Sequence, residues 1–380
     1  MTIIDRYLSW LFLKTLLICF VSFAGLFVVV HLFSNLDELT LISQQIGWTG
    51  VFQEFYLPRF ADLYDKSAGI VILVAAIFSV SLLQRRREMT ALEANGLTKA
   101  RILRSVFILA IIFVVLSVLN RELLIPQLKE KLVHTPQSWG DEGAVDMKVH
   151  SDLANGIVLR GDQLLIQEKK ISDIDVQMPL TIAGVLPRVK AKYGIVTAAD
   201  DRHPEGIWLH QVEDPDRLLK IGSLEVEEGK TIFFSQSDQA WLGPNQCFVR
   251  CTFDVDEMAY GNQLAAYRST KEMIDALREP ATHTRSTRKN KVAVHARIVK
   301  PILDLTLLLL GLPMVIGGIE RNVFVSAGVC FWIIIAVQLT AIVSYALGTS
   351  SLIQPAALAA WLPVLIYVPL AAVALRRLKR

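Results

Sequence analysis

Hydrophobic residues run along this chain in three long segments, give way to well over a hundred residues of mixed polarity, and return in three more segments. The apolar segments are Leu11–Phe33, Ala68–Leu83 (extended backwards to Pro58), Ser105–Ile125, Pro301–Ile319, Val323–Leu347 and Ala357–Leu375. A bilayer core about 30 Å thick takes roughly 20 residues of helix, so each segment predicts a membrane span. With three spans on either side, the polar stretch must leave and re-enter on one face of the membrane. The first apolar run exceeds the roughly 7–15 residues of a signal-peptide core and lacks a small-x-small site after it, so it reads as a retained anchor.

From about Pro126 to Asp256 the pattern turns to period two. Short strands are expected over Gly156–Gln167, Leu180–Lys192, Gly194–Ala199, Gly206–Val212, Thr231–Ser235 and Gln246–Val255, separated by Gly-, Asn- and Pro-rich turns. That predicts an all-β sandwich or jelly roll. Residues 257–279 regain helical periodicity, and the basic linker Thr284–Lys300 leads into the fourth span. The expected architecture is an α-helical polytopic membrane protein, three spans plus three, with an inserted jelly-roll-like β domain. Its parts are a first membrane half over 1–125, the β domain over 126–256, a helical and basic linker over 257–300, and a second membrane half over 301–380.

Composition agrees: of 380 residues 53% are hydrophobic and 20% charged, with a mean hydropathy of +0.43. A soluble protein of this length is less apolar. The net charge of +3 matters less than its placement. The loop Gln84–Arg104 carries Arg85, Arg86, Arg87, Lys99, Arg101 and Arg104 against Glu88 and Glu93. The chain ends in Arg376, Arg377, Lys379 and Arg380, and Arg6 and Lys14 lie near its start. By the positive-inside rule these parts face the cytoplasm and the central domain lies outside. Residues 34–57 then form the first outside loop. The basic stretch Arg285–Lys300 runs against the rule, but long translocated domains escape it.

Within the loop Gln84–Arg104, Asn95-Gly96 is a helix stop and Thr98 an N-cap for the third span. Arg85–Ala94 is therefore expected as a short helix with Met89 and Leu92 on one face. It lies along the membrane surface or docks into a partner's groove; composition does not choose. Arg59, Asp62 and Lys66 recur on one face of the outer half of span two. They form either a polar stripe toward a pathway for an anionic substrate or a stretch of helix still in water. Asp304 lies four residues from Lys300, spacing that fits an ion pair at the membrane interface.

Catalytic chemistry is not in view. Gly229-Lys230-Thr231 resembles the end of a phosphate-binding loop, but Leu224 stands where the first glycine is needed, and a hairpin turn explains it. The soluble-domain histidines His134, His150, His203, His210, His283 and His295 have no metalloprotease spacing, and no Gly-x-Ser-x-Gly elbow occurs. Cys247 and Cys251 sit on one expected strand, roughly 13 Å apart. A disulfide needs Cα atoms within roughly 7 Å, so buried free thiols are expected. No cofactor, metal or nucleic-acid partner is expected.

The run from Leu82 through Arg85-Arg86-Arg87-Glu88-Met89-Thr90-Ala91-Leu92-Glu93-Ala94-Asn95-Gly96 to Lys99 resembles the coupling-helix signature of the LptF/LptG (YjgP/YjgQ) lipopolysaccharide export permeases. Ile4-Asp5-Arg6-Tyr7-Leu8 resembles that family's amino-terminal motif, and Glu122 through Pro126 the end of its third span. Thr197-Ala198-Ala199 with Trp208-Leu209 resembles a strand pair of its periplasmic domain, and Gly311-Leu312-Pro313 its fourth span. The resemblance covers the whole chain in order. It implies a half-transporter in the bacterial inner membrane, both termini cytoplasmic, paired with a second permease subunit on a dimer of cytoplasmic ABC ATPases. Such a pair passes lipopolysaccharide, or a similar glycolipid, to periplasmic bridge proteins. The resemblance assigns ATPase coupling to Glu88, with Arg87, Met89, Leu92 and Gly96 around it. Arg59, Asp62, Lys66, Arg297 and Lys300 are the candidate substrate-cavity residues, with the bases supplying a cationic rim. Two departures stand out: Ala68-Gly69 replaces a proline frequent in span two, and Leu36-Asp37-Glu38-Leu39 is acidic where one subunit type carries lysines. A permease for another lipid or envelope component, or a membrane-anchored periplasmic binding or assembly protein, remains the alternative.

Overall fold

The computed structural model describes residues 3–378 apart from 137–143, 148, 153–154, 167, 180–181, 183, 201–202, 215–219, 227–229, 252–254, 279–283, 317–322, 351–352 and 354. Six helices among them are long and apolar enough to cross a membrane. In chain order, α1 (Ile3–Ser34) leads to α2 (Leu36–Gly50), a π-helical turn π1 (Val51–Tyr56) and α3 (Leu57–Arg85). Then come α4 (Glu88–Ala94), α5 (Lys99–Leu119), a second π-helical turn π2 (Asn120–Leu124), α6 (Ile125–Gln127) and α7 (Lys129–Val133). After the strands follow α8 (Val255–Tyr267), α9 (Thr270–Arg278), α10 (Thr284–Ile316), α11 (Val323–Thr349) and α12 (Ala356–Leu378).

Two differences from expectation concern helices. Residues 34–57 are largely helical rather than a loop, with a break at Gly47 (φ 73°, ψ 162°); Leu39 and Ile42, one turn apart, give α2 its buried face. The basic stretch from Thr284 is no linker either. It is helical and continuous with the fourth span in α10, since nothing between Thr284 and Lys300 breaks a helix.

The chain divides into two compact units. One comprises Met1–Ser34, Phe52–Leu128 and Ser269–Arg380 and contains all six spans. Its core runs along α3, where Ala68, Ile72, Leu73, Ala76 and Val80 are buried against Phe12, Leu103, Leu308 and Leu312. The apolar window containing α3 is 72% buried, against 11% for α1 and 17% for α11. α3 is thus the hub, and α1 and α11 offer most of their apolar surface outward, as lipid-facing helices do.

The other unit holds Asn35–Val51 and Lys129–Arg268. Its described strands are β1 (Ala144–Asp146), β2 (His150–Asp152), β3 (Ile157–Arg160), β4 (Gln163–Leu165), β5 (Lys170–Gln177), β6 (Arg188–Thr197), β7 (Gly206–Val212), β8 (Leu224–Val226), β9 (Lys230–Phe234) and β10 (Gln246–Arg250). They form one antiparallel sheet in the order β1-β4-β5-β6-β7-β10-β9-β8, with β2 and β3 branching from β5. Among the described residues Cys247 and Cys251 are buried free thiols, as the strand geometry required, and burial raises the pKa of both.

Sequence periodicity misses β5 and splits β6 in two, and one defect explains both errors. Asp173 and Gln211 have positive φ, 47° and 53°. Register places each of them opposite Lys192. A kink therefore crosses three neighbouring strands. Along it the buried residues lie three apart instead of two: Ile171 and Ile174, Ala191 and Gly194, Leu209 and Val212. Side chains change face there, so strict alternation fails as a strand signal.

Beside the kink, Tyr193, His210 and Trp208 form a ladder of near-parallel rings, 4.9 and 5.9 Å between centroids. Gln246 Oε1 accepts from Trp208 Nε1 and from the Gly243 amide, which leaves its Nε2 facing His210 Nδ1 at 3.0 Å. A donor facing Nδ1 requires that nitrogen to be unprotonated. Burial lowers the His210 pKa in the same direction. With the folded pKa below the unfolded value of about 6.5, the unfolded chain binds more protons in the interval between them. The β domain is expected to lose stability as pH falls below about 6.5. His210→Phe should flatten that dependence when unfolding is followed by tryptophan fluorescence across pH 5–8.

Candidate functional site

Two groups of polar residues stand out in the membrane unit. The first surrounds α4. α3 stops at Arg85, and Arg87 takes a left-handed conformation, φ 58°, that turns the chain before Glu88. The far end closes with paired bonds, Gly96 N to Glu93 O and Leu97 N to Leu92 O, with Gly96 at φ 79°. This is a Schellman termination, which needs glycine at that position. Thr98 then caps α5 by accepting from the Arg101 amide.

The apolar face of α4 is turned inward. Met89 is 5% exposed and belongs to the core of the membrane unit, and Leu92 and Leu97 pack against the same core. Of the residues assigned to coupling, Met89 is therefore an anchor for the helix, as Leu92 is in part. What α4 and its approach expose is Arg85, Arg86, Arg87, Thr90, Ala91, Ala94 and Gly96, with Glu88 half-buried.

Glu88 is held by residues that sequence reasoning did not single out. Tyr7 donates its hydroxyl to Glu88 Oε2 at 2.8 Å, and Arg86 lies 3.8 Å from the other oxygen. Two residues earlier, Asp5 accepts from Ser105 Oγ at 3.2 Å and pairs with Arg101 at 3.5 Å. The start of α1 thereby clasps both sides of the loop between α3 and α5. Ile4-Asp5-Arg6-Tyr7-Leu8 was visible as a motif, but its partners lie 81 and about a hundred residues away.

The second group lies among α3, α5, π2 and α10. Lys300 sits between two carboxylates, 3.5 Å from both Asp65 Oδ1 and Asp304 Oδ2, and donates to the Asp65 carbonyl. Asp65 and Asp304 are 9% and 8% exposed. Ser117 adds a bond to Asp65. The spacing of Lys300 and Asp304 did signal a pair, but it is buried in the bundle rather than interfacial. Next to it Arg121 donates to the Arg297 carbonyl and lies 3.7 Å from Glu122. Glu122 in turn accepts from the amide and hydroxyl of Thr270, capping α9.

Two glycines let α10 approach α3. A Cβ on Gly69 would collide with the Asp304 carboxylate, and one on Gly311 would come within 2.5 Å of Leu73. Small residues at helix contacts are how membrane helices pack closely.

Of the proposed rim, Lys300 is thus tied into the ionic cluster and Arg297 is half-buried beside it. Arg59 lies over the Phe55 ring, 3.3 Å from its centroid, and donates to the Phe55 carbonyl. Asp62 pairs with Lys66 at 2.6 Å, and the Lys66 side chain is 64% exposed. Arg59, Asp62 and Lys66 share a helix face as the spacing required.

Removing Lys300 would leave two buried carboxylates facing each other. Lys300→Met is expected to destabilise the membrane unit by about 3–5 kcal/mol, the usual cost of breaking a buried pair. Lys300→Met combined with Asp304→Leu should recover part of that, read as the melting temperature of the purified protein in detergent.

Among the described residues no group of three or more His, Cys, Asp or Glu side chains is placed to hold a metal. A search among curated proteins returned no match. The family profile for the lipopolysaccharide export system permease LptF/LptG matches residues 6–377, nearly the whole length. With six apolar helices and a β domain set between the third and fourth, this chain belongs to the LptF/LptG family of lipopolysaccharide export permeases, multi-pass proteins of the inner membrane.

Proposed function

We propose that this chain is one of two permease subunits of an ABC-type exporter driven by a separate dimer of cytoplasmic ATPases. The pair extracts lipopolysaccharide from the outer leaflet of the inner membrane and hands it to periplasmic bridge proteins. In this reading both termini and the loop holding α4 are cytoplasmic, and residues 129–268 are periplasmic, consistent with the basic residues of that loop.

The observation that carries the reading is α4 itself. It is capped at its end, anchored by Met89, and turns a short polar face outward in the most basic loop between spans. Such a helix transmits force, because its buried side moves with the spans. Glu88 faces a cation of the ATPase, with Arg87, Thr90 and Ala91 as the surrounding contact. Gly96 sets where the helix ends. At the other membrane face Arg59 and Lys66 form the cationic rim for lipid phosphates, with Asp62 orienting Lys66. Arg297 and Lys300 support that rim from within the ionic cluster.

Glu88→Lys is expected to abolish copurification of the ATPase from detergent; normal copurification and transport would refute the docking role. Tyr7→Phe should preserve copurification but lower substrate-stimulated ATP hydrolysis about three- to tenfold, the net worth of one solvent-exposed hydrogen bond. Neutralising Arg59 and Lys66 together should weaken lipopolysaccharide crosslinking at the rim without disturbing ATPase binding.

A further inference from the structure

A cavity of about 320 Å³ lies within the membrane unit, between α3, α10, α11 and α12. Neither the coupling helix nor the Arg59 end of the rim belongs to it. Lys66, Lys300, Asp304 and Gln338 line its polar part, and Leu307 and Val337 are among the buried apolar side chains that line the rest. Asp304 is more than nine-tenths buried and still reaches the cavity wall, because Gly69 leaves room for its carboxylate. Ile342, another wall residue, is 65% exposed on the outer surface of α11, so the cavity borders the lipid-facing side.

Charge restricts what enters. The cluster behind the wall holds three acids, Asp65, Glu122 and Asp304, and three bases, Arg121, Arg297 and Lys300. It is balanced, and at membrane depth a ligand that adds net charge upsets the balance at high cost. The wall nevertheless presents both signs, Asp304 as an anion and Lys300 and Lys66 as cations. A head group with one positive and one negative charge matches both conditions. A polyanionic glycolipid head does not. The volume is at the small end of ligand pockets, which run from about 300 Å³, and suits the head with only the first few methylenes of one acyl chain, the rest lying in the bilayer.

We propose that this cavity binds one zwitterionic phospholipid drawn sideways from the bilayer. Its ammonium rests on Asp304, its phosphate on Lys300 and Lys66, and the first methylenes of one acyl chain lie against Leu307 and Val337. The site shares Lys66 and Lys300 with the proposed rim but neither Arg59 nor α4, and it stands whether or not the coupling role of α4 is right.

The test is lipid retention by the full-length protein, with whatever subunits copurify, after transfer into nanodiscs of equal phosphatidylethanolamine and phosphatidylglycerol. Native mass spectrometry should find one phosphatidylethanolamine per chain, enriched over the bulk ratio. Ala341→Trp, which fills the cavity, should lose it. Asp304→Asn should lower the preference for the amine head about tenfold, the equivalent of one charge-assisted hydrogen bond. A photo-crosslinking side chain at Ile342 gives a second reading that leaves the cavity open, and it should capture the same lipid even if the filled variant fails to fold. Retention of phosphatidylglycerol or lipopolysaccharide instead, no lipid above the bulk ratio, or equal retention by a folded Ala341→Trp would overturn the proposal.

Discussion

One lysine ties the two halves of the membrane unit together within their shared apolar core. Lys300 belongs to the second set of spans and Asp65 to the first, and 235 residues of chain separate them. Between them and Asp304 the lysine joins α10 to α3 at a pair of buried carboxylates, where isolated charges are costly. Electrostatics alone would not make this contact. Gly69 and Gly311 bring the two helices close enough for it. The lipid offers no hydrophobic gain for helix association, so close packing and a satisfied polar contact have to supply it. Much of the apolar surface of α1 and α11 is left for the surroundings because the core of the unit is concentrated along α3 and α10.

The spans were legible because a run of about 20 apolar residues has few other uses. Their ends were legible only where capping chemistry marked them: Thr98 before α5 and Gly96 after α4 stand where sequence placed them. The three-residue strands β1, β2 and β8 are too short to show a period, β3 and β4 read as one strand, and the longer strands were legible except around Lys192. No residue there announces a change of face. Gln211 carries no such signal, and Asp173, a residue that tolerates left-handed backbone, carries only a weak one. A period-two reading assumes a regular pleat and has no means of detecting a fault that runs across strands.

The candidate sites divide in a similar way. The position of α4 could be read from its caps and from the spacing of Met89 and Leu92. Whether the helix lies on the membrane surface or in a partner's groove could not be read; in the folded chain Met89 is buried in the membrane unit's own core. Asp65 was overlooked although it lies between Asp62 and Lys66, because it points to another face of the same turn, buried where Lys66 is exposed. Tyr7, Asp5 and Glu122 were visible only as parts of motifs. Each acts on a partner far along the chain, and such pairings are a property of the folded bundle.

The bond from Glu122 to Thr270 has a consequence for how the β domain is carried. Glu122 comes just before the chain departs at Leu128, and Thr270 just after it returns at Ser269. One carboxylate therefore cinches the neck of an insertion of 140 residues, Lys129–Arg268. With its neck closed, the length of chain beyond it matters little to the spans, since loop-closure entropy grows only with the logarithm of length. For this insertion the membrane unit in effect provides a closed two-stranded outlet, in addition to the crossings at Ser34 and Phe52. A domain of different size can be fitted to that outlet, through evolution or by exchange in the laboratory, without reopening the packing of the spans.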